Sequence, residues 1–159
     1  MITVRRAVAA DAQKIGAVFD AAVADGWKYL GELARKPIFP PEEWDQLVTE
    51  HAPPRALLVG INESDEVAGF TAVHPQQGEM YLLFIHPNHA RQGIGRTLLA
   101  AAHDVLRSAG CRGSFLYAHE QNARALRVYE AAGYRRDGTV RESDFRGVHL
   151  REPRLVKAL

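Results

Sequence analysis

Residues 82–99 read LLFIHPNHARQGIGRTLL, a strand, a loop and a helix in immediate succession. Leu82 to Ile85 is apolar and strand-like. His86 to Gln92 is loop chemistry, and an amphipathic run with Ile94, Leu98 and Leu99 begins at once after the glycines. A buried strand that turns straight into a helix creates a site for an anion. Gly93 and Gly95 let the backbone approach a ligand, and the unpaired N–H groups of the first helical turn point at it. Arg91 and Arg96 flank the turn and can add positive charge; a plain tight turn would use the same glycines. A dinucleotide fingerprint needs a third glycine where Leu98 stands, and a P-loop needs glycine and lysine where Ala90 and Arg96 stand. Both nucleotide motifs are excluded by spacing.

Upstream, Ile2 to Ala7 reads as a strand. Asp11 stands at an N-cap position before Ile15, Val18, Phe19 and Ala22, a helical face that Gly26 closes. A short helical turn over Trp27 to Arg35 leads to a helix starting at Pro40-Pro41, with Trp44, Leu47 and Val48 as its apolar face. Ala56 to Ile61, Val67 to His74 and Met80 to Ile85 form an antiparallel meander, separated by the turn sequences Asn62–Asp65 and Pro75–Gly78. Downstream of the helix on Ile94 to Leu106 come a strand (Ser114 to Ala118), a helix (about Asn122 to Ala132) and strands near Tyr134 to Arg141 and Val148 to Lys157. Pro153 in the last strand predicts an edge or a bulge. The order β-α-α-β-β-β-α-β-α-β-β predicts an α/β (α+β) sandwich. It has one mixed, mostly antiparallel sheet with helices on both faces. The crossover through the Ile94 helix makes its two flanking strands parallel. Without a repeat, linker or low-complexity segment, residues 1–159 form a single domain.

Twenty basic and 19 acidic residues leave a formal charge of +1, which gives no reason to expect nucleic acid or an anionic membrane as partner. Cys111 is the one cysteine, so an internal disulfide and a thiolate metal cluster are excluded, and a buried structural thiol is expected. His86 and His89 share a loop but have no carboxylate or cysteine at ligand spacing, so no metal is expected. The chain has no stretch of membrane-spanning length, and MITVRRAVAADAQ lacks the apolar core of a signal peptide. The expected location is the cytoplasm.

A second motif lies downstream. Asn122, Ala125, Tyr129, Gly133 and Tyr134 stand in NARALRVYEAAGY. Taken alone, Asn122 is a helix N-cap, Gly133 a C′ glycine, and Tyr129 and Tyr134 core tyrosines. Together with Gly93 and Gly95, however, these positions resemble the GNAT superfamily of acyl-CoA-dependent N-acyltransferases. The loop departs from that pattern at its first position, where Ala90 replaces the usual Gln or Arg and Arg91 is adjacent.

The resemblance implies an N-acetyltransferase that moves an acetyl group from acetyl-CoA, as co-substrate, to a primary amine by direct attack in a ternary complex. It implies a bulged strand splayed from its parallel neighbour, with acetyl-CoA wedged between them. Backbone groups of Leu83, Phe84 and Ile85 would hold the pantetheine and acetyl oxygen. Arg91, Gln92, Gly93, Ile94, Gly95, Arg96 and Thr97 would bind the pyrophosphate, with Asn122, Ala125 and Tyr129 along the pantetheine arm. Tyr129 would protonate or hydrogen-bond the departing thiolate. Glu79, His119, Glu120 or a water chain would take the amine's proton, and histidine has the best unperturbed pKa for that task. Arg124, Arg127, Arg135 and Arg136 form a basic cluster that suits either the adenosine-side phosphate or plain solvent. Trp27, Tyr29, Phe39, Trp44, Phe145 and His149 are acceptor-side lining candidates, with Asp20, Asp25 and Asp144 as attractors of a cationic amine. The acceptor, a small molecule or a peptide, is not readable, nor is a homodimer. A catalytically silent acyl-CoA sensor of the same fold is the rival class.

Overall fold

In the computed structural model, which describes residues 1–159, the chain runs β1 (Thr3–Arg6), α1 (Ala12–Gly26), α2 (Pro41–Glu50), β2 (Ala56–Ile61), β3 (Val67–His74), β4 (Glu79–Ile85), α3 (Ile94–Ser108), β5 (Gly113–Tyr117), α4 (Ala123–Ala131), β6 (Arg135–Phe145) and β7 (Val148–Ala158). Short 3-10 turns occupy Lys28–Arg35 and Pro87–His89. The element order matches the sequence reading. One seven-stranded sheet runs β1-β2-β3-β4-β5-β7-β6, antiparallel everywhere except between β4 and β5, the strands that α3 connects.

The apolar alternation of the strands divides the interior into two cores. On one face α3 and α4 cover Leu58, Met80, Leu116 and Leu155, with Leu98, Leu106 and Tyr134 almost fully buried. On the other face α1, the Lys28–Arg35 turn and α2 cover Val59, Phe70 and Ala72 with Ile15, Val18, Phe19 and Trp44. Each large aliphatic side chain buried this way contributes about 1.5–3 kcal/mol. Helices α1 and α2 cross closely because Gly16 carries no side chain: a Cβ there would lie 2.7 Å from the Trp44 ring.

Three local expectations need correction. Asp11 precedes α1, but its carboxylate does not cap that helix. It accepts the Val8 N–H at 2.8 Å and a forked pair from Arg5 at 2.7 and 3.1 Å, which ties the end of β1 to the helix start. Strand β6 extends to Phe145, beyond the Arg141 expected, because Arg146 and Gly147 both adopt positive φ (48° and 86°) and close a tight hairpin with β7. Pro153 is not on an edge, since β7 pairs with β5 on one side and β6 on the other. The irregularity falls on the partner: β6 breaks register between Arg136 and Val140, opposite the stretch where proline offers no N–H. Cys111 is half-buried, with Sγ 3.2 Å from the Pro75 carbonyl oxygen.

Asp11 also makes stability depend on pH. Its hydrogen bonds from Arg5 hold the carboxyl below the usual carboxylate range, against the opposing effect of burial. A depressed carboxylate contributes stability above its unfolded pKa, and that contribution disappears as pH falls through the folded value. Asp11→Asn should therefore cost about 1–3 kcal/mol in urea unfolding at neutral pH. The gap to wild type should narrow as the medium is acidified below about pH 4. A gap that stays constant into acid would mean that the carboxylate charge is not its source.

Candidate active site

The glycine loop has the geometry that its composition predicts. Arg91 and Gly93 both sit in the left-handed region (φ 63° and 80°), and Gly93 is the residue that enters α3. The first intrahelical bond runs from the Thr97 N–H to the Gly93 carbonyl, which also accepts the Thr97 hydroxyl at 3.0 Å. The N–H groups of the turn before Thr97 are left to face outward. A Cβ on Gly93 would meet nothing within 4 Å, so the backbone here borders open space. Arg91, Gln92, Arg96 and Thr97 are exposed around that space, and the Ile94 side chain is buried in the core, which leaves only its backbone for a ligand.

Strands β4 and β5 meet only where the start of β4 reaches the middle of β5. A single residue pair, Glu79 with Phe115, is in register, supported by the Phe115 N–H to the Gly78 carbonyl at 3.0 Å. Beyond it the strands splay, and the open wedge points toward the glycine loop. Strand β4 also carries a bulge: Ala72 of β3 faces Leu82, whereas Val73 faces Met80, so Tyr81 is the extra residue. The bulge puts both Tyr81 and Leu82 on the α1/α2 face with Phe84, while Met80, Leu83 and Ile85 face α3. The expected bulge and splay are both present, and Leu83, Phe84 and Ile85 form the free edge of β4.

On the α3/α4 face of the wedge stands Tyr129. Its ring is 9% exposed and meets Tyr134 edge-on at 6.0 Å, within the cluster that includes Met80, Leu116 and Ala118. Burial pushes its phenol far above the ordinary tyrosine value, so it holds its proton at neutral pH. Asn122 caps α4 by accepting the Ala125 N–H at 3.2 Å, which leaves its amide N–H groups for another partner. Tyr134 is tied by its hydroxyl to Ser114 at 2.8 Å and His103 at 2.7 Å, and is structural.

On the opposite face His119 stands two residues past the end of β5. Its Nδ1 lies 2.5 Å from the Tyr29 hydroxyl and its Nε2 lies 3.6 Å from a Glu152 oxygen. Glu152 is held in turn by Arg141 at 2.9 Å. Trp27 bridges the wedge, 6.1 Å from the Phe84 ring and 4.5 Å from the His119 ring. Burial lowers the His119 pKa and outweighs the Glu152 carboxylate, so the imidazole is neutral at pH 7. Beside it lies a cavity of about 120 Å³ bounded by His119, Glu120, Gln121, His149, Leu150 and Arg151.

Glu79 sits at the closed end of the wedge. It is half-buried, and burial raises its carboxyl above the usual value against the pull of Arg141 and His74. Next to it, Tyr81 hydrogen-bonds through its hydroxyl to Nε2 of His51, whose Nδ1 donates to the Leu47 carbonyl at 2.7 Å. That chain anchors the bulge to the end of α2.

The acceptor-side candidates separate into two groups. Trp27, Tyr29, Phe145 and His149 gather around His119. Phe39 and Trp44 cluster on Phe19 instead, bordering a second cavity of about 420 Å³ with Glu43, Glu50 and Leu82. Asp25 is paired with Arg124 at 2.8 Å, so that arginine bridges α4 and α1. Arg127, Arg135 and Arg136 are exposed. His86 accepts the Asn88 N–H, and His89 lies 3.7 Å from Glu66, so both brace their loop. Glu152, Arg141, Tyr81 and His51 went unnoticed in the sequence. The first two lie in a polar hairpin with no pattern of its own, and the last two meet only because the bulge turns Tyr81.

Comparison with known proteins agrees with this architecture. The family described as Acetyltransferase (GNAT) family matches residues 24–134. A mycothiol acetyltransferase of Saccharopolyspora erythraea is 33% identical over 86 residues, covering 52% of this chain and 28% of that protein. A mycothiol acetyltransferase of Rhodococcus opacus is 37% identical over 93 residues, with 52% and 30% covered. The chain thus spans less than a third of the length of these relatives. A GNAT superfamily phosphinothricin acetyltransferase from Sinorhizobium meliloti, solved in complex with AcCoA, superposes with a TM-score of 0.79 at 18% identity, over 99% of this chain and 88% of the other. An acetyltransferase of GNAT family from Streptococcus pneumoniae gives 0.76 at 18% identity, with 100% of each chain covered. These solved structures share the fold of this chain, and the chain belongs to the GNAT acetyltransferase family.

Proposed function

We propose that this protein transfers an acetyl group from acetyl-CoA to a primary amine by direct attack in a ternary complex. The observation that carries the reading is the wedge between β4 and β5, open beside a left-handed glycine loop at the head of α3. An extended amide-bearing arm fits such an opening as an added strand, and a pyrophosphate fits the outward N–H groups at Gly93 to Arg96. Acetyl-CoA has both parts in one molecule. Leu83, Phe84 and Ile85 would bond the pantetheine, and an N–H of that free edge would polarise the acetyl oxygen. Asn122 and Ala125 would lie along the same arm.

The two faces of the wedge then suit the two proton transfers. Tyr129, below on the α4 side, would give its proton to the thiolate as the carbon–sulfur bond breaks. His119, above on the α1 side, is the neutral base nearest the open part of the wedge. Glu79 lies at its closed end, paired with Phe115, and that position suits the base role less, although burial raises its carboxyl in the direction a base needs. Acid and base on opposite faces leave the thioester between them, the arrangement that direct attack needs. No helix is long and apolar enough to cross a membrane. We infer a cytoplasmic location from the proposed need for acetyl-CoA, a co-substrate made inside cells.

CoA thiol release, measured over amines, amino acids, polyamines, aminoglycosides and peptides, tests the reaction. Release above hydrolysis with one class confirms transfer. Tight acetyl-CoA binding with no release from any of them would instead indicate a sensor. Tyr129→Phe should lower kcat by about 10²-fold while the Kd for acetyl-CoA stays within a small factor. Unchanged turnover would remove Tyr129 from the chemistry.

Gly93→Ala tests the loop separately. The left-handed backbone should cost about 1–2 kcal/mol in the free protein. The rise in Tm on adding acetyl-CoA should shrink as well. A full acetyl-CoA shift in the variant would mean that the pyrophosphate binds elsewhere.

A further inference from the structure

We infer that Tyr29 is the residue facing the acceptor amine, and that it passes the amine's proton to His119 behind it. This rests on the acetyl-transfer reading above. The two ring nitrogens of His119 have different neighbours. Nε2 lies 3.6 Å from a Glu152 oxygen, beyond hydrogen-bond reach, and the carboxyl, which Arg141 also holds, favours by charge the tautomer with its proton on Nε2. Nδ1 then carries the lone pair, and the Tyr29 hydroxyl at 2.5 Å donates to it. Trp27 lies 4.5 Å from the imidazole and covers one side. In that tautomer neither nitrogen of His119 has a free lone pair for an amine. The free lone pair of this chain belongs to the phenol oxygen of Tyr29, a half-buried side chain on the turn that roofs the wedge beside Trp27.

The step balances. The amine nitrogen bonds to the thioester carbon and its proton moves to the Tyr29 oxygen, while the phenol's own proton moves to Nδ1. The product is an imidazolium next to Glu152, which the carboxylate stabilises. The carbon–sulfur electron pair leaves as thiolate and takes the Tyr129 proton. Solvent then removes the imidazolium proton and restores that of Tyr129. Burial and Glu152 both raise the Tyr29 pKa, so Tyr29 is a relay that is never a free phenolate at neutral pH. Glu152 and Arg141 are positioning residues.

The relay also sets a pH dependence. The groups that face His119 are Tyr29 from the turn, Glu152 from β7 and Arg141 from β6, with Glu120, His149 and Arg151 around the adjoining cavity. Since burial lowers the His119 pKa, the acid limb of kcat should fall below the ordinary histidine value.

The decisive comparison sets wild type against Tyr29→Phe, His119→Gln and the double variant. Acetyl-CoA would be used with 2-phenylethylamine, L-methionine, spermidine and an alanyl peptide as acceptors. Each single change should lower kcat by about 10²-fold with little change in the KM for acetyl-CoA, and the double variant should be no slower than either. Tyr29→Phe should also lose the histidine limb of the pH profile. Retained turnover in Tyr29→Phe, or losses that multiply, would overturn the relay while leaving acetyl transfer intact. Failure of wild type with every acceptor would overturn both. Imidazole ¹⁵N shifts of the free protein give a readout independent of turnover. A proton on Nε2 of His119, shifting toward Nδ1 in Glu152→Gln, supports the relay, and a proton on Nδ1 in wild type refutes it.

Discussion

Two neighbouring strands stop pairing in the middle of the sheet, and the packing around them has to hold that opening. Beyond Glu79 and Phe115, the facing edges of β4 and β5 have no protein partner. Unpaired backbone groups cost about 1–3 kcal/mol each when kept from water, so such an opening persists only if both strands are fixed by their other edges. They are. Strand β4 is registered to β3 from Gly69 to His74, and β5 to β7 over its whole length. The bulge at Tyr81 bends β4 away, and His51 anchors that bend to α2. The wedge is therefore built into the packing and does not wait for a ligand to form it.

Splitting the sheet also splits the chemistry. Side chains alternate across a strand, so the wedge is bordered by one set of groups below and another above. Below, Tyr129 is buried deeply enough to keep its proton; above, His119 is buried enough to lack one. The same physical effect, desolvation of the charged form, acts in opposite senses on an acid and on a base. It leaves both neutral at pH 7, which is the starting condition the proposed acid and base require.

Much of this was legible in the sequence because it rests on local pattern. The meander, the strand–loop–helix at Gly93 and the Asn122 cap are each set by neighbours a few residues apart. What escaped depends on which partners the fold brings together. Asp11 has the residue type and position of a cap, yet the Arg5 guanidinium, six residues back on β1, takes its carboxylate. The β6–β7 hairpin is polar and lies at the sheet edge, so RESDF shows no alternation to reveal a strand. Glu152 and Arg141 could not be linked to His119 before the order β5-β7-β6 was known. Tyr29 was recognised only as lining, because its partner lies 90 positions along the chain.

The parts of the site differ in how firmly the fold holds them. The glycine loop and Tyr129 belong to α3 and α4, which share one core with the sheet. Tyr29 belongs to the 3-10 turn between α1 and α2, which Trp27 caps and which is kinked at Gly31, where φ is positive. In the proposed reaction, substitution in that turn would change what faces the acceptor and leave the acyl-CoA wedge untouched. His119 joins the two regions, since it lies two residues past β5 and reaches the turn through Tyr29. A proton path routed through that contact would make the base effective only with the turn seated over the wedge, so acceptor enclosure and base activation would become one event.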